Sequence, residues 1–110
     1  MPKVYVVNRS GHDYAGAKRF GDLVYLSEGR TESPFAVTTI YASFAAQLVD
    51  SEPDDYLLLT GLNVMNVVAS GIFGFLHGKL NLLIYAGKNR YAERTVKLDE
   101  LIQRREEKSL

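Results

Sequence analysis

Six consecutive residues, Asn8-Arg9-Ser10-Gly11-His12-Asp13, put an amide, a guanidinium, a hydroxyl, an imidazole and a carboxylate on one short stretch of chain. His12 and Asp13 are the candidate catalytic residues, able to serve as acid and base in a hydrolase or transferase step. Arg9 can clamp an anion through parallel N–H donors. A second cluster, Thr60-Gly61-Leu62-Asn63, adds a positioning hydroxyl, a glycine that lets a ligand approach the backbone, and the first free N–H groups of a helix. Together Asn8, Arg9, Ser10, Gly11, His12, Thr60, Gly61 and Asn63 are the candidate ligand-binding residues, and their chemistry suits a nucleotide-like or other anionic small molecule. The same residues also have plain structural uses. A His-Asp pair on a loop often caps a turn, and Asn63 can satisfy backbone at a helix start.

Several chemistries are excluded. The chain has no cysteine, so it has no thiolate metal site, no disulfide and no cysteine nucleophile. Its two histidines lack His-x-x-x-His spacing, so no metal is expected, and His77 before Gly78 reads as the cationic end of a helix. Ser10 has no Gly-x-Ser-x-Gly elbow, which argues against a serine hydrolase. Neither Gly-x-Gly-x-x-Gly after the first strand nor Gly-x-x-x-x-Gly-Lys-Ser/Thr occurs, so no dinucleotide or P-loop cofactor is implied.

The elements that must position these residues follow from patterning. Lys3 to Asn8, Asp22 to Ser27, Tyr56 to Thr60 and Leu80 to Tyr85 are apolar and β-branched or aromatic, as strands covered on both faces are. Arg90 to Leu98 is more polar and follows the tight turn Gly87-Lys88-Asn89, which predicts an antiparallel edge strand. Ser33-Pro34 supplies a helix start, and Ile40, Phe44, Ala45 and Leu48 recur at helical spacing, predicting a helix over 34–49. Glu28, Arg30 and Thr31 form the turn before it, or a cleft rim. A second helix is expected over 62–77, with a narrow polar stripe of Asn63, Asn66, Ser70 and His77 and a wide apolar arc. A helical tail spans about 99–108. The order implies a compact three-layer, Rossmann-like α/β sandwich with a mostly parallel five-stranded sheet, and a topological switch between the first and third strands. Ligands favour such points, where both polar clusters would meet.

The sequence has 110 residues, 46% hydrophobic and 24% charged, which fits one domain over 1–110. Thirteen basic and 13 acidic residues cancel, so extended nucleic-acid binding is not expected, and an anion must be held locally by Arg9 and a helix N-terminus. No apolar run is long enough for a signal core or a membrane span, so a cytoplasmic protein is expected. The apolar arc from Leu62 to Leu76 exceeds what one sheet face covers. Either the tail folds over it or a second subunit does, and a homodimer through this helix is the simpler expectation.

The Asn8-to-Tyr14 run after a Val-rich strand, with Leu57-Leu58-Leu59-Thr60-Gly61 before a helix, resembles small Rossmann-like proteins of phages and prophages. The strand–Thr–Gly–helix junction is loosely similar to CRISPR-associated Rossmann domains that sense ligands, although no effector domain accompanies it here. Three functions are then in play. The first is a stand-alone small-molecule-binding module; the second, an enzyme using His12 and Asp13; the third, a phage-type interaction or assembly subunit working through the Leu62 to Leu76 face.

Overall fold

The apolar runs become five strands: β1 (Lys3–Val6), β2 (Asp22–Tyr25), β3 (Tyr56–Leu58), β4 (Lys79–Tyr85) and β5 (Tyr91–Lys97). They form one sheet in the order β2-β1-β3-β4-β5. The first four are parallel, and β5 runs antiparallel to β4 at the edge, from Tyr85↔Tyr91 to Lys79↔Lys97. The computed structural model describes residues 1–29, 33, 35–60 and 63–109; Arg30, Thr31, Pro34, Gly61 and Leu62, each assigned to a turn, a helix start or the site above, lie outside them.

The hand of a parallel crossover is fixed, so crossovers leading in opposite directions along a sheet emerge on opposite faces. From β1 to β2 the chain crosses one face through a single 3-10 turn, Ala15–Ala17. The direction then reverses at the switch between β1 and β3. Helices α1 (Val37–Leu48) and α2 (Asn63–His77) therefore share the other face. Under them Tyr5, Ile40, Phe44, Leu57, Met65 and Phe73 form the larger core. On the opposite face Val4, Val6, Leu58 and Leu83 are covered, among the described buried residues, by Tyr14 and Ala17 alone, so that layer is thin.

Local signals explain the ends of the helices, with one correction. The Ser33-Pro34 signature predicts a start at 34, but α1 starts at Val37 after Ala36, with no side-chain cap. The Ser33 hydroxyl instead accepts the Phe35 N–H at 3.2 Å, so it closes a turn one step before the helix. At the other end of the layer, Gly78 takes φ 69° and donates to the Gly74 carbonyl at 2.8 Å, turning α2 directly into β4. His77 is structural: its Nε2 lies 2.7 Å from Ser51 Oγ and its ring packs edge-on against Phe73.

The amino-terminal end of the sheet is tied by polar groups. Asp55 accepts the backbone N–H of Lys3 and of Glu52, each at 2.8 Å. Buried Asn81 donates to the carbonyls of Pro53 and Asp55 and accepts from Thr95. Helix α3 (Glu100–Ser109) is exposed throughout and does not cover the apolar face of α2, so the tail-over arrangement is not adopted. Among the described residues no helix is long and apolar enough to cross a membrane.

Candidate functional site

The carboxyl ends of β1 and β3 open a cleft of about 350 Å³. Its floor is Leu58 and Leu59, and its polar lining is His12, Asp13, Thr60 and Asn89. Three tyrosines, Tyr14, Tyr85 and Tyr91, complete the wall. The β4–β5 turn supplies two of them. Tyr85 and Tyr91 are cross-strand partners with ring centroids 5.6 Å apart, and the turn between them puts Lys88 and Asn89 at φ 52° and 58°, the left-handed geometry of a tight hairpin. The hairpin is brought over the strand exits by a close approach: a Cβ on Gly16 would overlap the Asn89 carbonyl oxygen.

Tyr14 locks the loop after β1. Its buried phenol donates to the Asn8 carbonyl at 3.2 Å and accepts the Ser10 N–H at 3.2 Å, with the Ser10 hydroxyl at 3.3 Å. Burial alone would raise its pKa. The Ser10 hydroxyl and N–H, the Thr60 side chain and the Arg9 charge outweigh burial and leave it lowered. For Tyr91, burial and the neighbouring Tyr14, Tyr85 and Asp13 act in the opposite direction and raise the phenol.

The residues singled out in the sequence divide. His12, Asp13 and Thr60 meet in the cleft. Asp13 is engaged there as a turn cap, its Oδ1 accepting the Ala15 N–H at 2.9 Å, while the His12 ring stands edge-on to Tyr14. Thr60 donates its N–H to Asn66 Oδ1 at 3.1 Å. Ser10 is held by Tyr14, and Gly11 is an exposed left-handed turn residue at φ 83°. Asn63 is exposed on the first turn of α2. Arg9 and Asn8, expected beside these residues, are not part of the cleft lining. Arg9 continues the pairing of β1 toward β2, its N–H donating to Ser27 and its carbonyl accepting from Gly29, each at 2.8 Å. Its guanidinium accordingly lies 4.9 Å over the Tyr25 ring and 3.9 Å from Glu28. Asn8 is buried, with its Oδ1 accepting from Ser27. A smaller hollow of about 260 Å³ lies on that side, lined by Ser27, Glu28, Ser43 and Met65 among others.

Tyr14, Tyr85, Asn89 and Tyr91 are cleft residues that sequence pattern assigns to the core or to a turn. The available signal is the equal spacing of Tyr85 and Tyr91 about the Gly87-Lys88-Asn89 turn, which predicts that they pair. Among the described residues no three His, Asp or Glu side chains gather as metal ligands.

Beside the cleft, on the same sheet face, Tyr56 donates its phenol proton to Glu93 Oε2. That hydrogen bond, with burial and the charge of Glu93, pushes its pKa up to about 12 from an ordinary value near 10. The folded state thus holds this proton more tightly than the unfolded chain. The contribution to stability is complete below pH 10 and is lost as pH rises toward 12. A phenolate absorbance titration should show a late-titrating tyrosine that disappears in Tyr56→Phe and moves toward 10 in Glu93→Gln; a titration unchanged by both substitutions would contradict the assignment.

Comparison with curated proteins and with solved structures finds no match in either. The sequence itself places the chain among phage proteins: residues 2–98 match the Phage Pam3 gp32-like protein family, and the chain belongs to that family.

Proposed function

We propose that this phage-type protein acts by binding, without turnover, a small flat ring of the nucleoside or nucleotide type in the cleft at the strand exits. The observation that carries the reading is the wall of Tyr14, Tyr85 and Tyr91 around His12, Thr60 and Asn89. Aromatic faces stack on any base, and the amide, hydroxyl and imidazole can bond to ring edges. A cleft of about 350 Å³ is at the small end of ligand sites, the size of one such ring with its sugar. With Arg9 turned to Glu28, no Arg or Lys among the described residues lines the cleft, so the ring and not an anionic group is the main determinant. Binding is preferred to acid–base catalysis because Asp13 Oδ1 caps the turn through the Ala15 N–H and, among the described residues, no hydrogen bond pairs Asp13 with His12.

Calorimetric titration with the common nucleosides and their monophosphates tests this. Saturable binding is expected with at least one base, the monophosphate binding no more than about tenfold tighter than its nucleoside. Tyr85→Ala or Tyr91→Ala should weaken it roughly 5- to 150-fold, the range of one stacking contact. No saturable binding, or binding that both substitutions leave unchanged, would refute the reading.

A further inference from the structure

We infer that two copies of the chain associate face to face through the outer surface of α1 and α2, in a two-fold dimer in which Phe75 of each fills the groove of the other. The first observation is one of charge. A quarter of the whole chain is charged, yet neither the 12 residues of α1 nor the 15 of α2 include an Asp, Glu, Lys or Arg. A helix layer facing only water carries charge on its outer side. This one has none, so a charged partner would find nothing to pair with. A lipid surface is also a poor match, since helices that lie on membranes carry Lys or Arg on their polar faces. The complementary surface is another uncharged apolar one, and this face of a second copy is such a surface.

Shape points the same way. Between the helices runs a groove of about 780 Å³ whose lining includes Tyr41, Ala45, Gly71, Ile72 and Phe75. Gly71 leaves a hole there, with nothing within 4 Å of where a Cβ would stand. One turn further along α2, Phe75 is 90% exposed and forms a knob beside that hole. Knob and hole on one patch are what a self-complementary, two-fold interface requires. Val37, Tyr41, Val49, Val67, Phe75 and Leu76 are all exposed. With the groove lining they offer on the order of 700–800 Å², close to the share each partner brings to a stable interface. The exposed α3 leaves this surface open.

Sedimentation equilibrium on the full chain decides the matter. The wild type is expected to sediment at twice the chain mass. Phe75→Glu, at an exposed position the fold does not need, and Gly71→Leu, which fills the hole, should each raise the dissociation constant by at least about 30-fold, the effect of removing a hot spot. Unchanged far-UV dichroism shows that both variants fold. Should either variant fail to fold, Val67→Glu, on the same exposed surface, replaces it. A wild type that stays monomeric up to about 1 mM, the weakest range of specific association, overturns the proposal. So does a dimer that survives both substitutions, an assembly larger than two, or a monomer that instead partitions onto lipid vesicles.

Discussion

Truncating Phe73 to alanine is expected to cost about 3–5 kcal/mol, the usual penalty for deleting a fully buried phenylalanine and leaving its cavity. Phe73 is completely enclosed on the inward face of α2 and belongs to the larger core with Phe44, Leu48 and Leu57. Its ring also supports His77 at 4.5 Å, which in turn meets Ser51 beyond the end of α1. The loss therefore loosens the seam between the two helices as well as the helix–sheet contact. Since a domain of this kind is stable by about 5–15 kcal/mol, the variant should lose between about a fifth and all of its stability. Two residues further on, Phe75 points outward, and Phe75→Ala in dilute solution should change stability by less than about 0.5 kcal/mol. Urea titrations of both proteins provide the test. A loss under about 1 kcal/mol for Phe73→Ala would mean that α2 does not rest on the sheet through this side chain.

That contrast is not legible in the sequence: Phe73 lies on the line of Asn66, Ser70 and His77, which patterning would turn toward water, and Phe75 lies nearly opposite it, yet Phe73 is enclosed and Phe75 exposed. The strands are legible: the runs at Val4, Leu57 and Leu82 have no polar face. What periodicity cannot reveal is where backbone pairing stops. Arg9 reads as a cleft residue because it follows β1, yet its N–H and carbonyl bridge to the chain after β2, which carries its side chain to Glu28. The helix start is displaced for a similar reason. Ser33 makes the hydrogen bond its type predicts, but with Phe35, ahead of the helix. Tyr85 and Tyr91 read as core because aromatic residues in strands usually are; only the docking of their hairpin on the turn at Gly16 reveals them as cleft walls.

Gly16 is thus a point where fold and site can be separated by experiment. An alanine there has an acceptable helical-turn backbone but no room, since its methyl would overlap the Asn89 carbonyl, a backbone atom that cannot rotate away. The hairpin must lift as a unit, taking Tyr85, Asn89 and Tyr91 off the strand exits. Overpacking of this kind costs typically about 1–3 kcal/mol. The effect on the cleft should be larger than that cost suggests, because three of its lining residues move together. Nucleoside binding is expected to fall at least tenfold in Gly16→Ala while far-UV dichroism stays unchanged, since the sheet and both long helices do not depend on the hairpin's position. Gly71→Ala, compared in dilute solution where the α1–α2 face is unpaired, is the matched control: it also adds one methyl, but into open space on a helix, where alanine is favoured over glycine by about 1 kcal/mol. If Gly16→Ala behaves like that control in stability and in binding, the hairpin is not held against the turn and the cleft does not depend on it. If stability falls but binding persists, the hairpin is held there and the tyrosines it carries are not what grips the ring.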